Sequence, residues 1–259
     1  MGLKIIYHNF RMNFVIAIPS YRRSETLPQK TLKTLDSHLI NRSKIHIFVV
    51  PEEEQLYKNS CPGYIIHVGV KGLVEQREFI HQFFPEGQHI LFLDDDIDFF
   101  MGLDKRPIPN LMEALEAGFE ACLKENTTLF GIYPVANPFF MSNTISTSLK
   151  YIVGCCYGVI NSPNRQQPPL SDAEDFWRSC WYYKNEGKTV RLNFISPKTS
   201  YYKGKGGLAE LRTPESNTEG KTRVCSDFPD YCKLWTRKRT GMLEIRLRDS
   251  SKIVKKNKK

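Results

Sequence analysis

The chain has 259 residues, of which 41% are hydrophobic and 25% charged, and its net charge is +9. This length accommodates one large domain or two small ones, and the composition excludes a disordered, collagen-like or coiled-coil chain. The longest apolar runs are only as long as single strands, so the sequence predicts no membrane span.

Strand-like and helix-like patterns alternate through the first hundred residues. Strands are predicted at 14–18, 45–50, 64–68 and 89–93. One helix is predicted to follow residue 22, a second to begin near residue 51 and a third to cover 71–84. Leu32, Leu35 and Leu39 supply the apolar side of the first helix. This alternation predicts an α/β fold with a mostly parallel sheet and helices on both faces.

The segments that follow these strands are expected to meet around one crevice, because ligands of such sheets bind beyond the carboxyl ends of the strands. They are residues 19–22, 52–54, 71–77 and 94–96. Arg22, Arg23, Lys71 and Arg77 lie at these strand-to-helix turns, where backbone N–H groups also attract phosphate. One such cation is usually a solvated surface residue, but their convergence favours a phosphate site.

The second half is predicted to continue the fold with longer helices. Helices are expected at 110–125 and 172–186, and strands at 129–133, 151–160 and 189–195. A glycine-rich polar stretch from residue 201 to about Thr222 is interpreted as a mobile loop. The predicted organisation is an N-terminal extension at 1–12, a domain at 13–220 with halves 13–103 and 104–220, and a basic segment at 221–259.

Three consecutive acids, Asp94, Asp95 and Asp96, close the apolar run 89–93. Adjacent carboxylates repel one another unless a cation or a donor neutralises them. Side chains alternate in extended backbone, so Asp94 and Asp96 face the same way and are able to share Mg²⁺ or Mn²⁺. The alternative is a solvated acidic turn with helix-capping roles.

A second acidic group precedes an aromatic run that includes Trp177. Ser171 as N-cap with Glu174 three residues later forms a capping-box pattern, which by itself explains two of the acids. Asp175 lacks that explanation, so it is the favoured general base, with Glu174 as a second candidate. Gly154 and Tyr157 are expected on the acceptor side near these aromatic residues.

The positive charge is concentrated at the end of the sequence. Residues 1–220 contain 24 Lys and Arg against 24 Asp and Glu, whereas residues 221–259 contain 13 against 4. Such a segment suits a polyanion such as nucleic acid, although a solvated tail is the alternative for residues 252–259. Lys203 and Lys205 of the glycine-rich loop are candidates for a lid over a diphosphate.

The cysteines and histidines provide no recognisable site. Seven scattered cysteines without a CxxC pair or a secretory signal favour a reducing cytoplasm. The six histidines form no HExxH motif or other spaced ligand set, and none follows His89.

These motifs together resemble the GT-A nucleotide-sugar glycosyltransferases over about residues 13–208. The resemblance is carried by Ile-Pro-Ser-Tyr-Arg at 18–22, the acids at 52–54, Lys-Gly-Leu-x-x-Gln-Arg at 71–77, the Asp triplet and Glu-Asp at 174–175. The stretch from Val70 to Ile97 is also similar to the TET-associated glycosyltransferases of phages and other viruses, which are implicated in adding sugars to hydroxymethylated pyrimidines in DNA.

The resemblance implies a UDP-sugar donor held with Mg²⁺ or Mn²⁺. Asp94 and Asp96 would occupy the metal-binding DxD positions, and Asp175 would match the base that activates the acceptor. The implied donor site consists of Pro19, Ser20, Tyr21, Arg22, Glu52, Lys71, Gly72, Gln76, Arg77, Asp94 and Asp95. Many such enzymes also bind the metal through a late histidine, which this sequence lacks, so water is the alternative third ligand.

Three functions remain in competition at this point. The leading hypothesis is transfer of a sugar to hydroxymethylated pyrimidine in viral DNA. The second is transfer to a virus-surface or cell-wall glycan, and the third is a non-catalytic nucleic-acid-binding protein on the same scaffold.

Overall fold

The computed structural model describes residues 12–199 and 213–248. Its strands are β1 (Phe14–Pro19), β2 (Ile45–Val49), β3 (Ile65–Val68), β4 (His89–Leu93), β5 (Ile97–Met101), β6 (Leu129–Ile132), β7 (Ile145–Ser146), β8 (Cys156–Ile160), β9 (Val190–Leu192), β10 (Ser196–Thr199), β11 (Cys232–Thr236) and β12 (Leu243–Leu247). Its helices are α1 (Thr26–Gln29), α2 (Thr31–Ser37), α3 (Glu54–Ser60), α4 (Leu73–Phe83), α5 (Leu111–Glu125), α6 (Glu174–Glu186) and α7 (Pro214–Asp227). The predicted lid residues Lys203 and Lys205, the N-terminal extension up to residue 11 and the basic tail at 252–259 lie outside the described residues.

Within the described residues, eight strands form one mixed sheet in the order β3-β2-β1-β4-β8-β6-β9-β7. The first four of these strands are mutually parallel, and β6 pairs with β9 in parallel. Strand β8 runs antiparallel between β4 and β6, and β7 is antiparallel to β9. The predicted α/β class with a mostly parallel sheet is therefore confirmed.

Helices cover both faces of this sheet, which explains why its central strands are continuously apolar. On one face Leu91 of β4 belongs to the same buried cluster as Phe119 of α5. On the other face Phe92 belongs to a cluster with Ile80 of α4. No helix in the described part of the chain combines the length and the apolar character needed to cross a membrane.

The predicted first helix is wrong in its extent. It is divided into α1 and α2, and α2 ends at Ser37. Leu39 adopts a φ of 55° and its side chain is 92% exposed, so it is not on the apolar side of the helix. The backbone has left the helix before Leu39, and helical spacing from Leu35 no longer determines where that side chain points.

Residues 213–227 are more regular in structure than predicted. The prediction of a loop as far as Thr222 is wrong for residues 214–222, because these residues belong to α7. The expected domain boundary at residue 220 also falls inside this helix. Thr213 caps α7 in a capping box with Ser216, and Pro214 occupies the first helical turn. Val224 packs in a buried cluster with Trp177 of α6. The capping signal was therefore present in the sequence, but α7 has too few apolar positions to show helical periodicity.

Acid is expected to destabilise the fold through His81. Burial, assisted by Arg165, lowers the pKa of His81 to about 3, while a hydrogen bond with Asn161 opposes the shift. Since the unfolded chain binds this proton near pH 6.5 and the folded chain does not, the free energy of unfolding falls by ~1.4 kcal/mol per pH unit below 6.5. Urea denaturation at pH 6.5 and at pH 5 measures this effect. Between these two pH values, the free energy of unfolding should fall by about 2 kcal/mol less in His81→Gln than in the wild type. Equal losses would refute this assignment.

Candidate active site

A cavity of about 330 Å³ lies at the carboxyl ends of β1, β2 and β4. The predicted site residues that line it are Pro19, Ser20, Tyr21, Lys71, Gly72, Gln76, Arg77, Asp94, Asp95, Asp96, Gly154, Glu174 and Asp175. The topology brings these residues together because the segments that carry them follow adjacent strands or begin helices packed against the sheet.

Four other predicted site residues do not line the cavity. Arg22 is exposed, and its backbone N–H donates to Glu53 at 2.9 Å. Glu52 is also exposed and lies on the tight 3-10 turn that follows β2. Tyr157 and Trp177 are only 1% and 4% exposed and belong to the hydrophobic core.

The three acids after β4 have different surroundings. Asp95 is directed into the protein, where its two oxygens accept hydrogen bonds from Ser20 and Arg23, each at 2.5 Å. Asp96 accepts a hydrogen bond from the same Arg23 guanidinium at 2.9 Å. The side chains of Asp94 and Asp96 are 37% and 18% exposed, against 6% for Asp95. Asp94 and Asp96 are therefore the more exposed of the three carboxylates.

This pair of carboxylates fits Mg²⁺ or Mn²⁺. No group of three or more His, Cys, Asp or Glu side chains in residues 12–199 and 213–248 could hold a metal ion by itself. Mg²⁺ is commonly held by one or two carboxylates, with water and substrate phosphate completing its shell, so two side chains suffice. Burial and the neighbouring acids raise the pKa of Asp94 to about 7 against the influence of Arg77. A bound cation would therefore relieve unfavourable charge at this position.

Glu174 lies between two arginines in the wall of the cavity. One of its oxygens accepts a short hydrogen bond from Arg77, and the other accepts from Arg178 at 2.5 Å. Burial alone would raise the pKa of Glu174, but Arg178 and Arg77 hold it below its usual value. Gly154 permits this arrangement, since a Cβ there would lie 2.8 Å from Glu174 Oε1. A carboxylate with both oxygens bound to guanidinium groups is a poor proton acceptor, so the geometry favours a positioning role over the expected catalytic one.

The capping box predicted for α6 is wrong. The N-cap is Ala173, with a φ of 59° and no side-chain hydrogen bond, rather than Ser171. Glu174 does not return to the helix start as a capping box requires, because its oxygens are held by Arg77 and Arg178. Tertiary ion pairing therefore overrides the local capping pattern.

Removing the Glu174 carboxylate from between Arg77 and Arg178 should lower the stability of the fold considerably. Glu174→Gln leaves Arg77 and Arg178 facing each other without the carboxylate between them, and breaking a buried ion pair typically costs 3–5 kcal/mol. We expect urea denaturation to show that the free energy of unfolding is ~3 kcal/mol lower in Glu174→Gln than in the wild type. The control is Glu54→Gln, which removes an exposed ion pair with Lys58 and should cost less than ~1 kcal/mol. Similar losses in both variants would contradict the role assigned to Glu174.

Asp175 is the second residue of α6, directly after Glu174, and contacts Tyr151. Its Oδ2 accepts a short hydrogen bond from the Tyr151 hydroxyl, and its Oδ1 accepts from the Phe176 N–H at 2.9 Å. The Tyr151 and Phe176 rings stack with centroids 4.2 Å apart and also line the cavity. Burial and the nearby Glu174 raise the pKa of Asp175. Asp175 thus lines the cavity with a carboxylate whose pKa is raised, whereas that of Glu174 is lowered.

Several cavity residues were not among the predicted site residues. Arg23 pairs with Asp95 and Asp96, although the sequence favoured Arg22 as the donor-site residue. Tyr151 holds Asp175, while Asn217 and Lys221 enter the cavity from α7. Only Arg23 carried a sequence signal, its place at the first strand-to-helix turn. The others depend on long-range packing.

Comparison with protein-family models and with curated proteins gives no match. Among solved structures, the S. aureus TarS fragment 1-349 in complex with UDP-GlcNAc is similar, with a TM-score of 0.57 and 17% identity over 83% of this chain and 66% of the fragment. The longer S. aureus TarS structure has a TM-score of 0.51 and 16% identity, over 83% of this chain and 39% of that chain. This chain therefore spans less than two thirds of either. At these identities the likeness establishes the fold, which is that of the GT-A glycosyltransferases.

Proposed function

We propose that the protein is a glycosyltransferase that moves a sugar from a UDP-sugar to a hydroxyl group. The observation that carries the proposal is the presence, in one cavity, of two accessible carboxylates suited to a divalent cation and a separate carboxylate suited to a general base. The similar TarS fragment was crystallised with UDP-GlcNAc, which makes UDP-sugars the first donors to test.

The proposed donor site is the half of the cavity that contains Asp94 and Asp96. These carboxylates would hold Mg²⁺ or Mn²⁺, and the bound ion would neutralise charge on the diphosphate leaving group. Hydrogen bonds from Arg23 hold Asp96 and the inward-facing Asp95 in place. Arg77 orients Asp94 through a longer hydrogen bond, with Nη2 3.4 Å from Asp94 Oδ1. The chain thereby supplies a preorganised anionic edge that needs little rearrangement when the donor binds.

The proposed acceptor site is the part of the cavity bounded by Asp175, Tyr151 and Phe176. Asp175 would take the proton from the attacking hydroxyl group as that oxygen forms its bond to the anomeric carbon and the bond to UDP breaks. The hydrogen bond from Tyr151 holds the carboxylate in place. The stacked rings of Tyr151 and Phe176 provide a flat apolar surface for a sugar or a base.

For the acceptor we propose hydroxymethylated pyrimidine in viral DNA. The supporting feature is the hairpin formed by β11 and β12, which packs beside α7 through a buried cluster that contains Val224 and Ile245. Residues 232–248 contain six Lys or Arg and one acid, Glu244. Lys233 and Trp235 are exposed on this hairpin, a combination that suits contact with the phosphate backbone and bases of DNA.

The test is to incubate the protein with UDP-sugars, Mn²⁺ and three acceptors, and to follow product mass. The acceptors are hydroxymethylated DNA, the same DNA without the modification, and a panel of virus-surface and cell-wall glycans. A hexose added only to modified DNA supports the whole proposal. A sugar added to a glycan would remove the DNA acceptor but keep the transferase, and no transfer to any acceptor by a protein that still binds DNA would favour the non-catalytic alternative.

A further inference from the structure

Helix α7 contributes two polar side chains to the cavity. Asn217 and Lys221 are four residues apart, so they lie on the same side of α7, and both line the cavity that contains Asp94 and Asp175. Neither residue belongs to the motifs that carry the resemblance to glycosyltransferases. Helix α7 is therefore a wall of the site as well as the support for the basic hairpin.

The position of α7 is fixed by close contacts to the segment that precedes Asp175. The Ser216 hydroxyl donates to Asp172 Oδ2 at 2.6 Å. Gly220 permits close backbone approach, since a Cβ there would lie 2.4 Å from the Asp172 carbonyl oxygen. The Trp177 indole donates to Asp227 Oδ2 at 2.9 Å near the end of α7. Lys221, directly after Gly220, is thus held at the cavity by packing.

The charges in the cavity distinguish Lys221 from the arginines. Arg23 and Arg77 are neutralised by cavity carboxylates. Lys221 forms no ion pair with any carboxylate in residues 12–199 and 213–248, and its Nζ donates to the Leu243 carbonyl of β12 at 2.6 Å. An ammonium group has three N–H donors, so two are left for a ligand. Lys221 is a half-buried cation with a fixed stem and capacity for an anion.

We propose that Lys221 binds the diphosphate of the nucleotide donor and stabilises UDP as it leaves. This inference rests on the proposed function. Released UDP carries more negative charge than one divalent cation neutralises, and a charged donor at the developing anion is the usual means of stabilising it. The Leu243 carbonyl of β12 holds the Lys221 ammonium group in place, and this hydrogen bond makes the hairpin part of the donor site.

The test compares Lys221→Met with Arg223→Met by calorimetric titration of UDP and of uridine, each with Mn²⁺. Arg223 is the matched control because it lies on the same helix, carries the same charge, and pairs with Asp227 outside the cavity. We expect Lys221→Met to weaken UDP binding roughly 10- to 100-fold while uridine binding stays constant. Lys221→Arg should recover part of the loss, and Arg223→Met should leave both affinities unchanged.

The ratio of UDP to uridine affinity separates binding from folding, since a loss of stability from the missing bond to Leu243 affects both ligands equally. An unchanged ratio in Lys221→Met would overturn the inference and leave the proposed function intact. An unchanged ratio with a raised KM for DNA would also overturn it, because Lys221 would then bind an acceptor phosphate. Absence of UDP binding by the wild type would overturn both this inference and the proposed function.

Discussion

Replacing Asp96 by Asn is expected to abolish the stabilisation of the protein by UDP and Mn²⁺. In the wild type, UDP at 100 times its Kd should stabilise the fold by about 2.7 kcal/mol, which raises the melting temperature by ~5 to 10 °C for a domain of this size. Asn retains the size of Asp but lacks the anionic oxygens that Mg²⁺ and Mn²⁺ require. Thermal denaturation with and without UDP and Mn²⁺ measures the effect.

The matched control for this variant is Asp98→Asn. Asp98 is two residues further along the chain and pairs with Lys30 at 3.0 Å, away from the cavity. The melting temperature of Asp98→Asn should rise with UDP and Mn²⁺ as in the wild type. Without ligand, Asp96→Asn should stay close to wild-type stability because Arg23 keeps its bond to Asp95. A full ligand-induced rise in Asp96→Asn would contradict the metal-binding role of Asp96.

Replacing Asp175 by Asn should lower kcat by roughly 10²- to 10⁴-fold, the usual contribution of a general base. Donor binding should be unchanged, since Asp175 is assigned to the acceptor side. The measurement is steady-state transfer together with titration of UDP. A variant that loses UDP binding in proportion to its activity would show instead that Asp175 belongs to the donor site.

The pH dependence of transfer should also depend on Asp175 and its partner Tyr151. A base must be ionised, so kcat/KM falls as the pH drops through its pKa, and burial and Glu174 set that pKa above the ordinary aspartate value. The hydrogen bond from Tyr151 opposes the increase. Tyr151→Phe should therefore move the acidic limb of the pH profile to higher pH. A limb that stays in place or moves to lower pH would argue against Asp175 as the base.

The part of the fold formed by residues 13–103 could be predicted from the sequence because its signals are local. Strand 89–93 is confirmed with the predicted bounds, and the acids that follow it lie in the cavity. Continuous apolar runs indicate strands buried on both faces, and a parallel sheet brings the residues after those strands to one edge. The proximity of Lys71, Arg77 and Asp94 follows from this rule.

The parts that were missed depend on contacts between distant segments. The pairing of Glu174 with Arg77 joins residues 97 positions apart, and no spacing rule reports it. The choice of Arg23 over Arg22 depends on the left-handed backbone of Arg22, which has a φ of 55°. Helix α7 has a polar surface and few apolar positions, so its place in the cavity wall is visible only from its packing on Asp172 and Trp177.

Asp94 and Asp96 are proposed to hold a divalent cation together with the diphosphate of UDP. Crystals grown with UDP and Mn²⁺ test it directly, because the anomalous scattering of manganese locates the ion independently of the protein atoms. We expect a manganese peak within ~2.2 Å of an oxygen of each carboxylate, with the phosphates of UDP beside it. Bound UDP with no manganese near either carboxylate would contradict the proposed metal-binding role of Asp94 and Asp96.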